Sequence, residues 1–264
     1  MTAQANQTQP KAFLGQSPAI QRLREQVEDA AHSGLEVLLT GEMGTGKRLA
    51  AVLLHQQGPR RDRPLIRLRR GNLAIFLEQA RRHAYEQHPG SGSQPPLSPW
   101  FQTVQGSTLL LEDVGEWSDE EQRGITGILR CRTKEKVGDL QDLEVDVQII
   151  ATTRTDLEPA VRAGRFWPDL YYRLHGFPIV LPPLRDHRED IPLLAEHFLA
   201  QLAAQLQRQP CRLSPQALER MLRYQWPDNV RELRHCLEQA ALLAVDGQIE
   251  PHHLWIDKTG RRTA

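Results

Sequence analysis

The spacing of three glycines and a lysine constrains this chain more than any other feature. Residues Gly41-Glu42-Met43-Gly44-Thr45-Gly46-Lys47-Arg48 follow the pattern Gly-x4-Gly-Lys of a phosphate-binding loop. The apolar run Leu35 to Thr40 enters it as a strand, and Arg48 to His55 leaves it as a helix. Glycines let the backbone curl so that successive N–H groups converge. An anion there meets those groups and the positive end of the helix. Lys47 is then placed to reach the β- and γ-phosphates of ATP. A plain Gly-rich turn between a strand and a helix is the alternative. One position departs from the pattern: Arg48 stands where a Ser or Thr hydroxyl ordinarily meets Mg²⁺. Nucleotide binding tolerates that change better than metal-dependent hydrolysis does.

A chain of 264 residues suits a large and a small domain. Its 39% hydrophobic and 25% charged residues are those of a globular protein. No run approaches 18 apolar residues, so no transmembrane helix is expected. Met1 to Lys11 is polar and lacks a signal-peptide core, which points to the cytoplasm. The formal net charge is zero, against a general nucleic-acid coat. Cys131, Cys211 and Cys236 are too few and too scattered for a disulfide framework and read as reduced thiols. The histidines form no zinc-spaced cluster, and His252-His253 reads as a surface pair.

Taken in order, Ser17 caps a helix from Ala19 to about His32. Pro64 to Arg69 is a second strand, and the resulting βαβ unit implies a parallel sheet. Asn72 to Gln87 reads as a polar helix and His88 to Pro96 as an exposed insertion. The apolar strand from Ser107 ends in Glu112 and Asp113. In phosphate-loop enzymes the strand beside the loop carries such acids, where they meet magnesium and the attacking water. A strand that happens to stop at a polar turn is the alternative. Ser118 caps a helix to about Arg130, Val145 to Thr153 is a strand, and Leu174 to Leu181 is the last strand of the sheet. Asp190 caps a helix to about Gln207. Further helices follow at Ser214-Pro215 and after Asp228. The expected organisation is a flexible tail (1–11), an α/β nucleotide-binding domain (12–183), a smaller all-helical domain (184–257) and a C-terminal tail (258–264).

From about Phe13 to Leu254 the chain resembles the central AAA+ ATPase domain of the bacterial enhancer-binding proteins, the sigma-54-dependent transcription activators. The phosphate loop is similar to their GESGTGKE, Ser107 to Gly115 to GGTLFLDEIG, and Trp226-Pro227-Asp228-Asn229-Val230-Arg231-Glu232-Leu233 to WPGNVREL. Asp169 to Leu174, followed by Phe177 to Arg185, is similar to their arginine-finger strand. The resemblance implies a phosphate-loop sheet with a helical lid, ATP and Mg as cofactors, and assembly with copies of itself or with AAA+ relatives. It also implies that Gly41 to Arg48 and Arg231 touch nucleotide, Arg231 sensing the γ-phosphate. Glu112 would meet Mg through water, Asp113 would place the attacking water, and Arg173 would point into a neighbouring subunit's site.

The departures from the family pattern carry equal weight. The GAFTGA loop that touches the sigma factor is replaced by His88-Pro89-Gly90-Ser91-Gly92-Ser93. The usual Asp-Glu is reversed to Glu112-Asp113. Arg154 stands where the family has an asparagine after the sensor strand, Arg69 where a second-strand asparagine belongs, and Trp167 where the first finger arginine belongs. Neither a sensor domain ahead nor a DNA-binding domain behind is expected. Three functions stay open: an active ring ATPase remodelling sigma-54 holoenzyme or another complex, a nucleotide-gated regulator with weak or absent hydrolysis, and a motor on another substrate. The retained loop beside altered hydrolytic residues favours the second, an ATP-binding protein that regulates transcription through protein contacts. The basic stretch Arg60 to Arg70 lacks interleaved aromatics and reads as a solvated loop with strand-end charges. DNA binding by this chain alone is therefore not expected.

Overall fold

The computed structural model describes residues 12–86, 99–132 and 145–256. The insertion His88 to Ser93 lies outside the described residues, as do both tails. The chain divides into two compact units: residues 26–40 and 50–180 form one, and residues 12–25, 41–49 and 181–256 belong to the other.

Helix α1 (Pro18–Ser33) leads to β1 (Val37–Thr40), and α2 (Lys47–Gln57) to β2 (Leu65–Leu68). Then come α3 (Arg70–Glu86), α4 (Pro99–Val104), β3 (Thr108–Leu111), α5 (Asp119–Arg132), β4 (Gln148–Thr153), α6 (Glu158–Arg162), α7 (Pro168–Leu174) and β5 (Phe177–Val180). The five strands form one parallel sheet in the order β2-β3-β4-β1-β5. Strands β3 and β4 are buried at every position, as strands covered on both faces must be. Pro178, which has no N–H to offer a ladder, sits on the edge strand β5. The sheet core includes Leu38, Leu109, Leu111, Ile149, Phe166 and Leu170.

Two expectations need correction here. The acid-bearing β3 does not lie beside β1: β4 runs between them. The last strand starts at Phe177 rather than Leu174, because Leu174 closes α7. Pro168 opens that helix in its first turn, and Leu170 and Leu174 are buried from it. The register aligns the C-terminal strand ends, pairing Leu68 with Leu111, Leu111 with Ala151, and Thr40 with both Thr153 and Val180. That edge is where open α/β sheets bind ligands.

The second unit contains α8 (Ile191–Gln205), α9 (Pro215–Arg223) and α10 (Asn229–Leu243). The unit is not all-helical as expected: it also holds a two-stranded parallel ribbon, β6 (Arg212–Leu213) with β7 (Gln248–Ile249), whose two-residue strands are too short to carry a periodic signal. Its core holds Leu194, Met221, Trp226, Leu233 and Leu237. Trp226 is fully buried, and its indole N–H donates to the Met221 carbonyl at 2.9 Å. Ser214 caps α9 by accepting from Ala217 N–H. Asp190, expected to cap α8, does not. Its carboxylate accepts from Ser17 Oγ at 2.6 Å and from the N–H groups of Gln16 and Ser17. Cys211 and Cys236 are buried free thiols, and burial pushes Cys236 up to about 11.

Candidate functional site

The phosphate loop belongs to the same compact unit as the helices after residue 181. Glu42 explains part of that. Its carboxylate takes two hydrogen bonds from Arg185, at 2.7 and 2.6 Å, and a third from Asn229 Nδ2 at 3.2 Å. These bonds, the Arg185 one first, hold its pKa below the ordinary range. Asn229 is fully buried in the left-handed region, which asparagine tolerates. Its amide is fully used: Nδ2 also donates to Met43 O at 2.8 Å, and Oδ1 accepts from Leu184 N–H at 2.8 Å. Gly44 has φ +80, and a Cβ there would lie 1.9 Å from the Asp228 carbonyl oxygen. The backbone of the loop therefore abuts the start of α10 directly.

Within the loop, Lys47 Nζ donates to the carbonyls of Gly41 (2.5 Å) and Glu42 (2.9 Å). Buried Thr45 donates its hydroxyl to Glu42 O at 2.9 Å. Lys47 opens α2, whose first N–H groups have no partner within the helix. Arg48 is exposed on its first turn. Arg231 is exposed on the first turn of α10, with its Cβ 3.1 Å from the position a Gly44 Cβ would take. The structure thus brings Arg231 to the loop. It also shows that the Glu42 side chain is engaged in anchoring.

The acids at the end of β3 belong to the sheet unit. Side chains alternate along a strand, so Glu112 shares a face with Leu110, the register partner of Arg67. Arg67 reaches Glu112 Oε1 with Nε at 2.9 Å and Nη2 at 2.6 Å. Asp113 has φ 52, and its N–H donates to Thr152 Oγ1 at 3.0 Å. Arg154, just past β4, bridges Asp113 (3.1 Å) and Glu116 (3.0 Å). The hydrogen bond to Asp113 raises the Arg154 pKa further. Asp113, Gly115, Glu116, Thr153, Arg154 and Thr155 line a small cleft. Both acids nominated for hydrolysis therefore carry an arginine counter-ion. Arg154 was visible as a substitution. Arg67 was missed, because only strand register reveals its partner.

Arg173 lies on α7, and its Nε donates to Asp169 Oδ1 at 2.9 Å. Asp169 also accepts from Arg130 at 3.0 and 2.6 Å. At the position expected of a first finger arginine, Trp167 lies under the Arg123 guanidinium, 5.0 Å from its ring centroid. The basic stretch is largely paired within the sheet unit, Arg60 with Asp146, Arg67 with Glu112 and Arg70 with Glu121.

Residues 13–180 match the sigma-54 interaction domain, and residues 185–261 match the AAA+ ATPase lid domain. The chain belongs to the sigma-54 interaction domain family. Response regulator protein PilR of Pseudomonas aeruginosa is 39% identical over 242 residues, covering 92% of this chain and 54% of PilR. The anaerobic nitric oxide reductase transcription regulator NorR of Salmonella paratyphi C is 38% identical over 232 residues, 88% of this chain and 46% of NorR. The chain spans about half the length of these curated relatives. Crystal structures of Brucella abortus NtrX with ADP and with ATP superpose at a TM-score of 0.76, with 28% and 30% identity, over 96% of this chain and 57% and 56% of theirs. A Thermotoga maritima RuvB structure shares the fold alone, at 14% identity and a TM-score of 0.60. Among the described residues no helix is long and apolar enough to cross a membrane.

Proposed function

We propose that this chain binds ATP on residues 41–48, turns it over weakly or not at all, and uses its nucleotide state to control protein contacts that regulate transcription. One observation carries this reading: Glu112 and Asp113 are each bonded to an arginine, Arg67 and Arg154. Phosphoryl transfer to water needs an acid free to orient that water and an acid free to help hold the metal ion that neutralises charge developing on the phosphates. A carboxylate held by a guanidinium is poorly available for either task. Binding asks only for the backbone of the loop and for Lys47. NtrX, 28–30% identical, is described with ADP and with ATP, which supports nucleotide as the ligand. The names of PilR and NorR support regulation as the context.

In this reading Gly41, Met43, Gly44, Thr45, Gly46 and Arg48 shape the loop, with Glu42 fixing it to Arg185. Lys47 leaves the two carbonyls for the phosphates, and Arg231 follows the γ-phosphate. Arg173, steadied by Asp169, faces a neighbouring subunit, either a copy of this chain or an AAA+ relative. His88 to Ser93 meets the protein target, sigma-54 holoenzyme among the candidates, in the cytoplasm. The division at Pro183/Leu184 between nucleotide-binding domain and lid is part of the same proposal. Steady-state ATP turnover over a protein concentration series, with Lys47→Ala as control, tests it. We expect little turnover, with nucleotide bound by the wild type and not by the control. Turnover that climbs with protein concentration and vanishes in Lys47→Ala overturns the weak-hydrolysis reading in favour of a working ring.

A further inference from the structure

The phosphate loop carries a carboxylate of its own. Glu42 follows Gly41 directly and stands five residues before Lys47. A negative charge in a loop that gathers N–H groups around an anion repels an arriving phosphate. The Lys47 ammonium donates to the Glu42 carbonyl at 2.9 Å, so it already lies on that residue's backbone. The Glu42 pKa is lowered chiefly by the Arg185 hydrogen bonds, and the charge of Lys47 adds to that. What holds the carboxylate in place comes from residues after 181, in the same compact unit as the loop. Arg185 Nη1 donates to Oε2 at 2.7 Å and Nη2 to Oε1 at 2.6 Å, a fork that engages both oxygens. Asn229 Nδ2 reaches Oε2 at 3.2 Å. The two side chains of the ion pair are 40% and 37% exposed, and a pair so open to water contributes little to stability. Its effect is on where the charge of Glu42 acts.

We infer that Arg185 is a positioning residue for the nucleotide: its guanidinium neutralises Glu42 and holds that carboxylate away from Lys47, which leaves the lysine ammonium to the phosphates. The inference rests on the nucleotide-binding reading above. Without Arg185, the carboxylate needs only a side-chain rotation to meet an ammonium already bonded to its own carbonyl. Lys47 is then held by a carboxylate in competition with the phosphates, and the uncancelled negative charge repels them. Asn229 does not prevent this, because an amide donor orients a carboxylate without cancelling its charge. Both effects come from the charge of Glu42 and not from the anchoring of the loop. Removing that charge therefore cures them.

The test is equilibrium binding of a fluorescent ATP analogue to the full chain, with thermal melting to verify that each variant is folded. Arg185→Gln is expected to weaken binding by about tenfold or more, and Arg185→Gln with Glu42→Gln to bind within about threefold of the wild type. The double variant decides between charge and anchoring. It lacks the fork as fully as the single variant does, so an Arg185 that merely anchors the loop predicts equal losses in the two, and that result overturns the inference. An Arg185→Gln variant that binds as the wild type does overturns it as well. Arg185→Lys keeps the charge without the fork and carries the test where Arg185→Gln does not melt cooperatively. Affinity within about threefold of the wild type then supports the inference, and a loss of about tenfold in the folded variant overturns it. Absence of binding by the wild type is a separate result, which overturns the nucleotide reading and the inference with it.

Discussion

Gly44 has less latitude than any other residue of the phosphate loop. Its φ of +80 and the Asp228 carbonyl at 1.9 Å from a would-be Cβ exclude any side chain unless the loop or α10 shifts. Backbone strain and overpacking each cost about 1–3 kcal/mol. Gly44→Ala is therefore expected to destabilise its unit by about 2–4 kcal/mol in urea unfolding and to weaken nucleotide binding. A milder loss would mean that α10 yields easily. The depressed carboxylates give a pH prediction. Burial alone would raise Asp169 and Asp190. Hydrogen bonds outweigh it, from Arg130 and Arg173 in the first case and chiefly from Ser17 and Gln16 in the second. Arg185 lowers Glu42 directly. Groups whose folded pKa is depressed contribute stability above their unfolded values, 3.8 for Asp and 4.5 for Glu. That contribution is lost as pH falls through the folded values. Unfolding followed by circular dichroism should show stability falling below those values, and Asp190→Asn should flatten the fall. At this scale the sequence was legible where one residue type suffices, as with Gly44 and Gly46, both at positive φ in the curled loop. It was silent on Arg67, whose meaning comes from Glu112, 45 positions away and joined to it only by register.

Among the elements, those with a strong local signal were readable and those decided by tertiary context were not. Val37 to Thr40, Thr108 to Leu111 and Gln148 to Thr153 are central strands with largely apolar runs, and each lies within its expected range. Ser118 and Glu121 form the expected cap, each bonding the other's backbone N–H. Leu174 was misread because an apolar residue just before a strand has no signal separating it from a buried helix end. The order of strands was equally hidden, since β4 enters between β1 and β3 from far along the chain. The helical unit depends on its tryptophan. Trp226→Ala is expected to cost about 3–5 kcal/mol, the range for emptying a fully buried aromatic site. Removing the α9 cap with Ser214→Ala should cost about 1 kcal/mol. Urea titrations of the two variants would expose the contrast. Equal effects would mean that the cavity is refilled.

For the molecule as a whole, assembly is the property to measure. In the proposed reading Arg173 has a use only if it reaches a neighbouring subunit. Sedimentation with and without ATP is expected to show association promoted by nucleotide, and a monomer in both conditions would sink the ring. Duplex DNA retention in a salt series is expected to show no salt-dependent affinity, because Arg60, Arg67 and Arg70 already have acidic partners. Sequence order does not display which segments pack together. Phosphate loops are ordinarily thought of as part of the sheet. Here residues 41–49 group with the helices, through Arg185 and Asn229 on Glu42 and through Gly44 against Asp228. Anyone grafting the C-terminal helices of a relative onto this chain should therefore transplant the loop with them. A graft joined at residue 181 alone would confront a foreign surface with a loop cut to fit its own.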